Sequence, residues 1–279
     1  MKTILPIVAL AFLALAAPAA AQEHSEHGQH IATDTPAPAP AAPTNWAADQ
    51  YHDPAEMAAS RKALFDATSD VVSHKIIIDE LEWRAHKGRD AIAWTGKAWV
   101  GGDLDRFVIR TEGEAAAGGA VESAEVRALW GHAVSPNWNV EAGVRHDFRP
   151  RPNRTYATVG IDGMLPYWIE LEGALFLSDK GDLLARAEVS HEMRLTQTLI
   201  FKPHAEPNFS AQNVPELGTG SGLTDMELGA RLRYAPVPSF APYIGVDWER
   251  SFGDTARYVR AEGDRRSSTS LVIGISFWF

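Results

Sequence analysis

The sequence predicts an all-β fold: a transmembrane antiparallel β-barrel of about twelve strands, preceded by a disordered His-bearing arm and a short helix. Three observations predict it. The first is the run from Ser270 to Phe279, where Leu271, Ile273, Ile275, Phe277 and Phe279 take every second position and Val272, Gly274, Ser276 and Trp278 take the alternates. That period of two gives a strand one uniformly apolar face. An unpaired apolar edge invites aggregation in water, whereas a closed barrel pairs its last strand with its first and turns that face to lipid. The second observation is charge on the opposite face of other strands. Along 183–195, Leu183, Ala185, Ala187, Val189, Met193 and Leu195 oppose Arg186, Glu188, Ser190, Glu192 and Arg194. Along 223–234, Met226, Leu228, Ala230, Leu232 and Tyr234 oppose Asp225, Glu227, Arg231 and Arg233. The runs 138–147 and 167–177 repeat the pattern, with Glu141, Arg145, Asp147, Glu170 and Glu172 on the inward side. A dry sandwich core cannot accept so many carboxylates and guanidiniums, but a polar lumen can pair them. The third observation is the connections, which alternate short and long as a barrel with both termini in the periplasm requires. GGDLD, AVSPN, LP, TQT and APVPS are the short ones; QNVPELGTGSG and GDTARYVRAEGDRRSS are among the long ones.

Taken in order, residues 1–21 read as a secretory signal. Lys2 precedes an apolar stretch from Ile4 to Leu15, and Ala19-Ala20-Ala21 offers a small-residue cleavage site before Gln22. Residues 22–44 form a His- and Pro-rich periplasmic arm that passes from EHSEHGQH into the polyproline-like TPAPAPAAP, with nothing to bury. Residues 45–75 read as a periplasmic helical segment, because Asp53-Pro54 is an N-cap and first-turn pair ahead of AEMAASRKALFDA. From 76 to 279 the pattern is β throughout, with strands expected at 76–83, 91–100, 106–114, 121–132, 138–147, 154–163, 167–177, 183–194, 199–210, 223–234, 240–251 and 269–279. Trp130, Trp138, Tyr167, Tyr234, Tyr243 and Trp248 lie near strand ends and suit an interfacial aromatic girdle. The terminal run also resembles the assembly signal of bacterial outer-membrane barrels, an alternating apolar strand ending on Phe.

Composition narrows the function. A chain with no cysteine has neither a disulfide framework nor a thiolate metal site, and a formal net charge of −10 argues against a nucleic-acid partner. The sharpest constellation is in the arm, where His24, His27 and His30 are spaced by three with Glu23 and Glu26 between them. Neutral imidazoles suit Cu, Zn or Ni, and carboxylates add harder donors. With cleavage after Ala21, a free Gln22 amine and His24 in third position can wrap a square-planar Cu(II) or Ni(II); cyclisation of Gln22 removes that option. The bland reading of the same residues is a solubilising tail. Inward carboxylates with a few histidines, such as His204 and Glu206, read as a structural ion-pair lattice, with a cation path as the functional version. Catalysis is not expected. Ser190 beside His191 and Asp147 beside His146 are adjacent in sequence and so point to opposite faces of a strand.

The stretches DQYHDPAEMAASRKAL (49–64), GGDLDRFVIRTEGE (101–114), GVRHDFRP (143–150), LPYWIELEGALFLSDKGDLLARAE (165–188), LTQTLIFKPHAEPN (195–208) and FAPYIGVDWERSFGDTAR (240–257) resemble the copper resistance protein B family, from about Asp49 to the C-terminus. The resemblance implies an outer-membrane barrel, copper binding, and copper tolerance alongside a periplasmic multicopper oxidase. Whether copper is sequestered or exported stays open. Family arms are often rich in Met and His, whereas this arm has histidine without methionine. Thioethers suit Cu(I), so the departure tilts the arm towards Cu(II). The alternative is a passive porin-like or structural barrel whose arm is incidental.

Overall fold

The computed structural model describes residues 46–68, 71–86 and 90–279. The signal segment, the arm and its His24, His27, His30, Glu23 and Glu26 therefore lie outside the described residues. In the N-terminal region, a short 3₁₀ turn at Ala47–Gln50 precedes α1 (Pro54–Thr68). Asp53 caps that helix as its sequence suggests: its Oδ1 accepts from the backbone N–H groups of Ala55 at 2.7 Å and Glu56 at 3.2 Å. No residue of α1 is buried, and Leu64 and Phe65 are exposed.

The rest is one closed antiparallel sheet of twelve strands. β1 (Ser73–Ala85), β2 (Ala91–Gly101), β3 (Asp105–Ala116) and β4 (Val121–Ser135) lead into β5 (Trp138–Arg149) and β6 (Arg154–Leu165). β7 (Ile169–Ser178), β8 (Leu183–His191, continued by Met193–Arg194) and β9 (Leu199–Ser210) follow. β10 (Gly222–Tyr234), β11 (Phe240–Ser251) and β12 (Ser267–Trp278) complete the wall. Each strand pairs with its sequence neighbours, and β12 pairs with β1. At the seam Ile76 and Phe279 exchange backbone hydrogen bonds of 2.9 and 3.0 Å, so the terminal Phe completes the closure that its alternation predicts. A bulge between Ile78 and Leu81 adjusts β1 where it meets β12.

Closure leaves no strand edge, and the pleat sorts the side chains. Leu271 and Ile273 are each 67% exposed on the outer face, while Val272 between them is 1% exposed. Val144, Val159, Leu175, Leu228 and Ile244 carry the same apolar belt around the wall. Exposed side chains of this kind in such number would be a liability in water and are what a hydrocarbon surround requires.

Three expectations need correction. Tyr167 does not open a strand: Pro166–Trp168 form a 3₁₀ turn with Tyr167 and Trp168 at φ 67° and 61°, which places both rings at the surface. Tyr243 is not in the girdle. It sits inside the barrel, 3% exposed, because its odd position in β11 shares the lumen face with Asp247. The long connection after β11 is not plain loop, since it forms α2 (Thr255–Ala261). There Thr255 Oγ1 accepts from the Gly220 N–H at 2.8 Å, tying this connection to the one after β9.

Candidate functional site

The lumen is where the chemistry-bearing side chains converge. Alternation on each strand delivers one charge every second residue, and the strand register decides which charges meet. Arg110 on β3 reaches Glu141 on β5 at 3.0 Å, Asp162 on β6 at 2.8 Å, and Glu172 on β7. Lys97 on β2 binds Asp162 at 2.7 Å, and Arg127 on β4 meets Glu172 at 3.1 Å. Arg186 on β8 reaches back to Glu112 on β3 at 2.6 Å and Glu125 on β4 at 3.3 Å. These partners stand up to five places apart around a twelve-strand wall, so the bridges cross the lumen rather than run along it. They pass through a cavity of about 1280 Å³ whose lining includes Arg151 and Glu262 at the long-loop end and Pro136 and Asn137 at the short-turn end.

A second system lies on the β1–β9–β10–β11 side. Arg231, 1% exposed, holds Glu80 and Glu82 of β1 at 3.0 Å each and Asp247 of β11 at 3.2 Å. Glu82 also accepts from the Tyr243 hydroxyl at 2.9 Å and from Arg84 at 2.7 Å. Isolated, any of these ions would be expelled from so dry a position; paired and hydrogen-bonded, they are held.

His204 belongs to this second system, and its neighbours follow from register. His204, Gly229 and Asp247 are direct cross-strand partners on β9, β10 and β11. Glu227 and Arg231 flank Gly229 on the same inward face two positions either side. Glycine leaves the room at the centre: a Cβ there would stand 1.9 Å from His204 Cε1 and 2.1 Å from Asp247 Oδ1, so both side chains would have to shift. With only hydrogen at that point the imidazole and the carboxylate close over the β10 backbone. His204 Nε2 comes within 3.4 Å of Glu227 Oε1 and 3.9 Å of Asp247 Oδ1. One donor from each of the three lies within 4.8 Å of the others. One imidazole and two carboxylates at that spacing are donors of the kind that hold transition ions, but here two guanidiniums hold them: Arg231 Nη1 lies 3.0 Å from His204 Nδ1 and 3.2 Å from Asp247 Oδ1, and Arg84 lies 3.5 Å from Glu227.

The pair singled out by sequence, His204 and Glu206, is not brought together. Glu206 turns to Arg186 at 3.4 Å and Asn208 at 3.0 Å, while His204 turns to Glu227. Asp247 and Gly229 escape a reading of single strands because only the register of three strands makes them neighbours. Ser190 and His191 are kept apart as expected: Ser190 donates inward to Glu170 at 3.0 Å, and His191 Nδ1 lies 3.0 Å from the Trp168 carbonyl. Asp147 is held by Arg145, and His146 lies against Thr155 at 2.8 Å.

The family model described as copper resistance protein B precursor matches residues 72–279. A copper resistance protein B homolog of Pseudomonas syringae pv. tomato is 43% identical over 208 residues, covering 75% of this chain and 70% of the relative. A copper resistance protein B of Escherichia coli is 40% identical over 227 residues, covering 79% and 76%. Among solved structures, the NanC porin aligns with a TM-score of 0.49 at 15% identity, covering 74% of this chain and 99% of the porin.

Proposed function

The chain belongs to the copper resistance protein B family, and from that premise we propose that it is an outer-membrane copper-binding protein that sequesters Cu(II) on a periplasmic arm. In this reading His24, His27 and His30, with Glu23 and Glu26, gather the ion. One metal can collect two or three imidazoles spaced three residues apart at little loop-closure cost, and Cu(II) outcompetes Zn(II) and Ni(II) for such donors. The barrel anchors the arm at the membrane, because the chain enters β1 at the short-turn end that faces the periplasm in barrels of this kind. A periplasmic multicopper oxidase is the partner the family resemblance implies. The protein acts by binding rather than by turnover.

The observation that carries this reading over a passive porin is the set of ion pairs crossing the lumen from β2, β3 and β8. Wide aqueous pores keep their centre clear, whereas this lumen is bridged by its own charges. The experiment compares copper tolerance and cell-associated copper in cells carrying the full chain or the chain lacking residues 22–44. Loss of tolerance at equal barrel levels supports sequestration by the arm. Equal tolerance, with copper entering or leaving at the same rate, returns the protein to the porin-like class.

A further inference from the structure

We propose that the five short turns form a lipid-seated rim at one end of the barrel, in which the strained Tyr167–Trp168 turn is the anchor that enters the phospholipid headgroup layer.

The first line of support is backbone cost. Tyr167 (φ 67°, ψ 24°) and Trp168 (φ 61°) stand side by side in the left-handed region, which turn chemistry reserves for Gly or Asn. Among the described residues they are the only non-glycines at positive φ. Strain of this kind persists where it serves something. Packing within the protein is not what it serves, since Tyr167 is 85% exposed and Trp168 74%. The turn holds two aromatic rings outward at a cost to its own backbone.

The second line is that this turn is one of a set. Every short turn carries a large exposed apolar side chain at or beside its tip. Leu104 follows β2, Val134 closes β4, Leu195 follows β8 and Val237 follows β10. The turns are also tied to one another, each lending a carbonyl to the next hairpin. The Leu104 carbonyl accepts from the Ala133 N–H at 2.8 Å, and that of Asn137 accepts from Met164 at 2.9 Å. The Thr198 carbonyl accepts from Ala235 at 2.7 Å, and that of Ser239 accepts from Trp278 at 3.1 Å. Between these pairs the Trp168 carbonyl lies 3.0 Å from His191 Nδ1, which therefore carries its ring proton there. The tips are held in place by this ring rather than left on loose loops.

What the ring fits follows from what it continues. Down β6 the exposed outer side chains are Val159, Ile161 and Leu165, and down β4 they are Val126, Trp130 and Val134. The turns are the foot of the apolar belt that faces hydrocarbon, with no polar break on β6 before Tyr167. Tyrosine and tryptophan settle where that belt meets water, with the ring among acyl chains and the O–H or N–H at the headgroups. The anchor rests on the membrane placement of the wall and uses none of the copper ligands of the arm.

The test uses the full chain inserted into phosphatidylcholine vesicles, with heat-modifiable gel migration as the check of folding. Lipids brominated near the headgroup or deep in the acyl chain quench tryptophan by contact. Subtracting the emission of Trp168→Phe isolates Trp168 among the nine tryptophans. Trp168 should be quenched by the bromines near the headgroup and little by the deep ones. The double variant Tyr167→Gly, Trp168→Asn gives the turn residues that its backbone favours and removes both rings. Strain relief alone would stabilise it, whereas loss of the anchor should lower its urea midpoint in vesicles below that of the parent. Should the double variant fail to insert, the quenching of Trp168 decides the matter. The proposal is overturned if Trp168 responds to a water-soluble quencher and to neither lipid, as a face kept for a protein partner would. It is overturned equally if the double variant is as stable in vesicles as the parent or more so. A parent chain that does not insert removes the membrane placement and the anchor together, and neither result touches copper binding by the arm.

Discussion

On β10, Leu228 is 41% exposed on the outer face, while Arg231, three residues on, is 1% exposed on the inner one. The ordinary rule of apolar inside and charged outside is inverted along a single strand. The outer face meets a medium that cannot hydrogen-bond, so it carries Leu, Val and Ile and no pairing is needed. The inner face is crowded with ions that are stable only as a set: Arg231 is held by carboxylates from β1 and β11, and those carboxylates are held by it. Errors on the two faces should therefore cost differently. An outer substitution fails by the transfer of one side chain, whereas an inner one fails by stranding its partners.

The largest expected effect is on the inner face. Arg231→Met leaves Glu80, Glu82 and Asp247 without their shared cation and should cost about 3–5 kcal/mol, read as a lower urea midpoint for the barrel in vesicles. A change below 1 kcal/mol would mean that water, rather than the guanidinium, satisfies those carboxylates. Leu228→Arg comes next, at ~2–4 kcal/mol, because it moves a charge into the hydrocarbon zone. Equal folding efficiency of this variant and the parent in lipid would remove the outer face from the membrane. Deleting Phe279 breaks the reciprocal pair with Ile76 and should cost about 1–3 kcal/mol, with a larger visible effect on assembly, since this seam is what closes the barrel. Normal outer-membrane levels of the deletion would count against that. The smallest effect has the opposite sign. Glu227 and Glu249 face each other across β10 and β11, so Glu249→Gln should stabilise by a few tenths to about 1 kcal/mol.

The same contrast explains what the sequence discloses. Outward positions are legible because each is decided by its own strand: the alternation of Leu271 to Phe279 or of 183–194 needs no knowledge of a neighbour. Strand number, connection parity and the inward placement of Glu141, Arg186 and Glu227 follow from the same rule. Pairing is different in kind. That Arg231 belongs with Glu80 depends on the closure of β12 onto β1, and that His204 belongs with Asp247 depends on two successive registers. Tyr243 reads as a girdle residue in the sequence because an aromatic near a strand end looks the same on either face until parity is fixed by Asp247. The helix Thr255–Ala261 was hidden for another reason: seven residues between Gly253 and Gly263 carry too little periodicity to stand out from a loop.

Copper capture by His24, His27 and His30 is tested most directly by a pair of Cu(II) titrations. The full chain and its triple-Ala variant are titrated at pH values on either side of the ordinary histidine pKa of ~6.5. Imidazole must be neutral to bind, so the parent should lose affinity as pH falls through that value. The triple-Ala protein should lack the tightest pH-dependent sites at both pH values while its barrel stays folded. A triple-Ala protein that binds as much copper as the parent, as tightly and with the same pH dependence, would contradict the claim and leave the arm as a tail.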